Sequence, residues 1–173
     1  NTVEKLEKYI ALAPKIRTYE KRDIYPLTGS QKGIFAECIK NPESTIYNIP
    51  FLFELDNSVD VQKLSAAVTA MVNAHSYLLT KVYLNDDGEM VQCPCEKEFV
   101  PEIIETTNDK FETVKNELVR PFKLEKGRLF RAEIYLTEDK KYLFTDFHHI
   151  IADGNSYDII FADINRAYMG EKL

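Results

Sequence analysis

Phe144-Thr145-Asp146-Phe147-His148-His149-Ile150-Ile151-Ala152-Asp153-Gly154 is the segment around which this chain of 173 residues is organised. The apolar run from Tyr142 to Phe147 leads into it and reads as a buried strand. Downstream, Tyr157, Ile160, Phe161, Ile164, Ala167 and Tyr168 recur at helical spacing, with Asn155 or Ser156 as the expected N-cap. Two adjacent histidines, an Asp and a Gly therefore sit on a turn between a strand and a helix. Such a turn lets a rigid scaffold aim chemical groups while leaving them reachable.

Working outward, Phe130 to Leu136 is expected as the strand before the turn at Glu138-Asp139-Lys140-Lys141. Asn108 to Val119 reads as a helix capped by Asn108 or Asp109, with Phe111, Val114 and Leu118 inward. Ile103-Ile104 is a short strand. Leu79 to Leu84 and Glu89 to Gln92 form a hairpin around Asn85-Asp86-Asp87-Gly88, a strong turn signal. Asp60 to Ala74 is an amphipathic helix whose stripe is Val61, Leu64, Ala67, Val68, Met71 and Val72. Ile46 to Leu55 alternates as a strand, with Tyr47, Ile49, Phe51, Phe53 and Leu55 on one side. Ser30 to Ile39 is a short helix after the turn at Gly29. Thr2 to Ala13 reads as a further helix ended by Pro14, and residues 15 to 24 as a connector. Asn1 in place of an initiator Met leads us to expect a chain cut from a longer one or processed. The order predicts an α/β (α+β) layer with a mixed sheet flanked by helices.

A formal net charge of −6 argues against general nucleic-acid binding, which needs clustered Lys and Arg. No apolar run approaches a membrane span, and the N-terminus lacks a signal-peptide core, so no membrane partner and a cytoplasmic location are expected. Three cysteines, Cys38, Cys93 and Cys95, do not make a disulfide framework and read as free thiols. Cys93-Pro94-Cys95 has no second Cys/His pair at ligand spacing, and adjacent His148 and His149 point apart, so no metal site is expected. Asp146 and Asp158 read as solvated, strand-edge or first-turn carboxylates. No Ser or Cys has nucleophile-elbow spacing, which disfavours an acyl-enzyme.

By average residue usage, His-His-x-x-x-Asp-Gly arises by chance in fewer than about one chain in a thousand of this length, so the pattern carries weight. It resembles the core motif of the condensation domains of nonribosomal peptide synthetases, within the chloramphenicol-acetyltransferase-like acyltransferases. Other stretches from Tyr25 to Gly170 are similar to the same family. Pro26-Leu27-Thr28 followed by Gln31 on a helix start resembles its first motif, and Tyr47-Asn48-Ile49-Pro50 its first strand. Pro121 to Arg131 resembles its Pro-Phe-x-Leu-x-x-Gly-x-Leu-Phe-Arg run. Ala74 to Thr80 aligns with a second motif, Arg-His-Glu-x-Leu-Arg-Thr. There His75, Leu78 and Thr80 agree, while Ala74, Ser76 and Leu79 replace three charged residues. His75 itself reads as a helix C-terminal residue favoured by the helix dipole.

The resemblance implies a chloramphenicol-acetyltransferase-like lobe over residues 25–173, the first of two, with residues 1–24 as helix and connector. It implies amide formation between a donor acyl or peptidyl thioester and an acceptor aminoacyl thioester. No cofactor is bound directly; phosphopantetheine arms come on donor and acceptor carrier proteins, and the C-terminal lobe is a further partner. His149 is the residue expected to face substrate. His148 is expected to turn inward and fix the loop, since successive residues near a strand end point to opposite sides. Asp153 is expected as a structural anchor, satisfied by backbone N–H groups or an Arg; in the family that Arg comes from the second lobe. Gly154 is expected to allow a backbone shape or close approach that a Cβ would block. Gln31 and His75 contribute at motif level.

Amide formation needs an amine relieved of its proton and a stabilised oxyanion. An imidazole, with an ordinary pKa of about 6.5, suits either proton removal or positioning of the amine. The alternatives are an epimerization domain or another acyltransferase of the superfamily, and, from a different class, a non-catalytic module that recruits a carrier protein or an enzyme. The lobe by itself is expected to be inactive.

Overall fold

The computed structural model describes residues 3, 5, 22–95 and 98–173. Apart from Val3 and Lys5, the helix expected over Thr2 to Ala13 lies outside the described residues, as does most of the connector. Seven strands follow: β1 (Tyr25–Pro26), β2 (Asn48–Leu55), β3 (Thr80–Leu84), β4 (Met90–Pro94), β5 (Glu102–Glu105), β6 (Phe130–Leu136) and β7 (Lys141–His148). The α-helices are α1 (Gly29–Lys40), α2 (Val61–Ala74), α3 (Asn108–Val114) and α4 (Gly154–Tyr168).

β2, β7, β6 and β5 form a four-stranded sheet in that order. Its first two pairings are antiparallel and β5–β6 is parallel, so the sheet is mixed as expected. β1, β4 and β3 make a smaller antiparallel sheet. The period of two along each strand divides the large sheet into two faces. Phe130, Ala132, Ile134, Leu143 and Phe147 meet α2 and α4 on one face, through Val68, Met71, Val72, Ile160 and Ile164. Each of these buried side chains larger than Ala132 contributes about 1.5–3 kcal/mol relative to an exposed one. On the opposite face Phe144 and Tyr135 pack with Phe111 and Leu118. A third cluster ties α1 to the small sheet and the turn after β7 through Leu27, Phe35, Val82, Leu129 and Ile150.

Local chemistry explains the boundaries. Thr28 caps α1, accepting from the Gln31 N–H while the Gln31 side chain accepts from the Thr28 N–H. This reciprocal box starts the helix at Gly29. Asp60 caps α2 through the Lys63 N–H. Thr107, not Asn108 or Asp109, caps α3. That helix passes into a 3₁₀ turn at Lys115, so Phe111 and Leu118 are buried while Val114 stays 37% exposed. Gly127 has φ 72°, and a Cβ there would meet Cys95 Sγ at 2.9 Å, so only glycine suits this turn before β6.

Candidate active site at the histidine turn

β7 is buried from Leu143 to His148. His148 is its last residue, in register with Asn48. Its side chain is 4% exposed and lies on the Asp146 face of the sheet. Nδ1 accepts the Ile150 N–H at 3.1 Å. The ring proton therefore sits on Nε2, directed at Cys38 Sγ 3.5 Å away. Burial, with the neighbouring His149 second, pushes its pKa down to about 4. His148 is thus a neutral brace for the turn, closed over by Phe122 edge-on at 5.8 Å between centroids.

His149 is exposed. Its backbone N–H donates to Tyr47 O at 2.8 Å, which extends the β2–β7 pairing by one residue. Nδ1 lies 2.9 Å from the Ala152 carbonyl oxygen. A carbonyl only accepts, so Nδ1 carries the hydrogen. The neutral ring then keeps a free lone pair on Nε2, fixed in direction by a bond to the main chain. Tyr157 also reaches that carbonyl, at 3.4 Å, from the first turn of α4.

Asp153, not Asn155 or Ser156, is the N-cap of α4. Its carboxylate accepts from the Ser156 N–H at 3.2 Å and the Ser156 hydroxyl at 2.8 Å. Those hydrogen bonds hold its pKa below the usual carboxylate range. A short side chain outside the helix reaches the free N–H groups better than one inside the first turn, which is why the cap falls at Asp153. Gly154 departs from expectation more plainly. It has no positive φ, and nothing lies within 4 Å of where a Cβ would stand. Within this lobe neither backbone shape nor close approach requires a glycine there.

Gln31 reaches the same turn from α1. Its Nε2 donates to Ile150 O at 3.0 Å and meets the Gln92 amide at 3.4 Å. His75 does not join the histidine turn. It ends α2 and pairs with Asp163 of α4, Nε2 to Oδ2 2.7 Å, while Arg166 holds the other oxygen of Asp163 at 2.9 Å. The His75 hydrogen bond is the main reason the Asp163 pKa is lowered.

Asp146 overturns the solvated reading. It is 0% exposed, held by Asn48 Nδ2 at 2.7 Å and Arg131 Nη1 at 3.3 Å. Burial raises its pKa to about 6, against the opposing pull of Asn48, Arg131 and the Ile49 N–H. Oδ1 makes no hydrogen bond of good geometry. Beside it Glu133, 7% exposed, binds Arg120 and accepts from Tyr135 Oη at 2.7 Å. A charged layer thus lies under the strand that presents the histidines. Sequence reasoning missed Asn48, Arg131, Asp163 and the Cys38 contact. The available signal was an Asp inside an apolar strand, since a buried carboxylate must be paired. Among the described residues no group of three or more His, Cys, Asp or Glu is placed to hold a metal ion, and no helix is long and apolar enough to cross a membrane.

The family model for the condensation domain matches residues 21–173. Surfactin synthase subunit 2 of Bacillus subtilis is 32% identical over 160 residues, covering 91% of this chain and 4% of that protein. Gramicidin S synthase 2 of Brevibacillus brevis is 32% identical over 171 residues, 98% of this chain and 4% of that protein. The fold matches the starter condensation domain of rhizomide synthetase with TM-score 0.73 at 19% identity, over 85% of this chain and 37% of that one. It also matches the first condensation domain of the CDA synthetase, with TM-score 0.71 at 15% identity, over 87% and 42%.

Proposed function

The chain belongs to the condensation-domain family, and from that premise we propose that residues 25–173 are the N-terminal lobe of a domain joining a donor acyl or peptidyl thioester to an acceptor amine. The observation that carries the proposal is the fixed tautomer of His149, an exposed residue whose Nδ1–H is tied to Ala152 O, which leaves the Nε2 lone pair without a hydrogen on it. Such an atom receives a proton or orients an amine.

In the proposed reaction the acceptor's amine attacks the thioester carbon and the carbonyl oxygen takes up negative charge. Nε2 of His149 accepts an N–H proton as the C–N bond forms. Collapse of the intermediate breaks the C–S bond, and the departing thiolate receives the proton His149 holds. The amide remains on the acceptor, and the imidazole returns to its starting form. Both thioesters ride on phosphopantetheine arms of carrier proteins, as substrates rather than resident cofactors. The C-terminal lobe closes the second wall of the site, and the reaction runs in the cytoplasm. His148, Asp153 and Gln31 hold the turn in place.

The test uses the domain with both lobes, a loaded donor carrier and a loaded acceptor carrier, with intact mass reporting transfer. Transfer that falls at least about a hundredfold in His149→Ala supports the reading, since positioned general bases contribute about 10²–10⁴. Equal transfer in both proteins removes His149 from the chemistry. No transfer, with deuterium exchange at the acceptor's α-carbon, identifies an epimerization domain. Carrier binding without chemistry identifies a recruitment module, the reading favoured by Ala74, Ser76 and Leu79 in the altered second motif.

A further inference from the structure

A recess of about 450 Å³ opens between β4, the end of β1 and the short turn after α2, walled by Tyr25, Tyr77, Thr80, Gln92, Cys93 and Pro94. It approaches the histidine turn through Gln92. Gln92 meets the Gln31 amide, whose Nε2 holds Ile150 O beside His149. No Asp, Glu, Lys, Arg or His lines the recess. Tyr25 and Tyr77 remain 36% and 39% exposed, so part of each aromatic side chain is open to a ligand. Ser76, one of the three positions where the second motif loses a charged residue, lines the recess.

We propose that this recess receives the side chain of the acceptor aminoacyl group, and that Tyr77 makes it selective for uncharged, above all aromatic, side chains. The proposal rests on the amide-forming function above. With the amine at His149 Nε2, the acceptor's Cβ is two bonds from the reacting nitrogen, whereas the donor's is three. The acceptor side chain is therefore the one held nearer to His149 and the turn that Gln31 links to the recess. A Glu or Lys side chain entering it leaves its water and meets no opposite charge among the lining residues, which disfavours binding. An aromatic ring loses nothing polar and gains offset or edge contacts with the tyrosines.

The experiment uses the two-lobe domain with acceptor carriers bearing phenylalanyl, leucyl, glutamyl or lysyl groups, against two different donor acyl chains. Transfer to phenylalanyl and leucyl acceptors is expected at least about tenfold faster than to glutamyl and lysyl. Tyr77→Ala lowers the phenylalanyl-to-lysyl ratio at least about fivefold, Tyr77→Phe keeps it, and changing the donor leaves it alone. A ratio unmoved by Tyr77→Ala, or a shift confined to the donor, overturns the proposal. A second measurement needs no variant. A non-hydrolysable phenylalanyl-pantetheine amide should slow alkylation of Cys93 in the wild-type domain and leave that of Cys38 unchanged; equal rates at Cys93 with and without it overturn the proposal. Failure of the proposed function reads differently, as no amide product from any acceptor.

Discussion

Asn48 Nδ2 donates to Asp146 Oδ2 at 2.7 Å, diagonally across the β2–β7 pairing, and to the Arg120 carbonyl at 2.9 Å. One side-chain amide thus joins the sheet edge, a buried carboxylate and the segment leading into β6. Asn48→Ala removes both bonds and leaves the Asp146 charge with Arg131 as its remaining side-chain partner. The expected loss is about 2–3 kcal/mol, seen as a lower urea midpoint with an unchanged slope. Asn48→Asp should cost more, because it sets two carboxylates against each other.

Asp146 and His148 respond to pH in opposite senses. Asp146, raised to about 6, contributes stability that is fully present below its unfolded pKa of about 3.9 and is lost as pH rises through 6. His148, lowered to about 4, contributes stability present above its unfolded pKa of about 6.5 and lost as pH falls through 4. Between pH 4 and 6 the two slopes offset each other. In Asp146→Asn only the histidine slope remains, so stability relative to wild type should climb with pH across that window by on the order of 2–3 kcal/mol. Urea midpoints at three pH values would reveal it, and parallel profiles for the two proteins would contradict the assignment.

Gly154→Ala should fold as well as wild type, within about 0.5 kcal/mol, because the added methyl meets open space at the first position of a helix. Loss of transfer in the two-lobe domain without loss of stability would show that the glycine serves something outside this lobe, a substrate or the facing lobe.

Gln31→Leu deletes the side-chain half of the α1 capping box and the bond to Ile150 O in one step, while Thr28 keeps the N–H of residue 31. Stability should fall by about 1–2 kcal/mol. Transfer at saturating substrate should fall while carrier binding holds, as expected when a supporting contact rather than a substrate contact is lost. Gln31→Glu, which can still accept from the Thr28 N–H but not donate to Ile150 O, separates the two roles.

Residues 25–173 alone should give a cooperative thermal transition yet no amide product above background, whereas addition of the second lobe in the same chain restores transfer. Turnover by the single lobe would mean that the facing wall is dispensable.

Element order was legible where period and punctuation agreed. β6 ran from Phe130 as expected, and the Asn85–Gly88 turn joined its two strands. Capping residues were harder, because Thr107, Asn108 and Asp109 are all competent and only the path of the chain decides among them. The histidine turn was visible as a motif, and the inward and outward directions of His148 and His149 followed from strand alternation. The charged layer was not legible, since Asn48, Arg131 and Asp146 come from three separate segments whose register no single segment encodes. The contact between Cys38 and His148 has the same origin, two residues 110 positions apart that meet only once α1 packs on the turn.

Consider, finally, how unequally the two histidines are tied in. His149 is fastened by its main chain to Tyr47, and among the described residues its ring makes one hydrogen bond, to the Ala152 carbonyl. His148 is sealed among Cys38, Phe122 and the Ile150 amide. On the role proposed for His149, drift at the first of these positions would erase chemistry and spare the scaffold, yielding well-folded descendants that bind without reacting. Drift at the second needs matching changes at its neighbours before any descendant survives. On that reading a module that binds without reacting is a single substitution away from an active domain, and the way back is just as short.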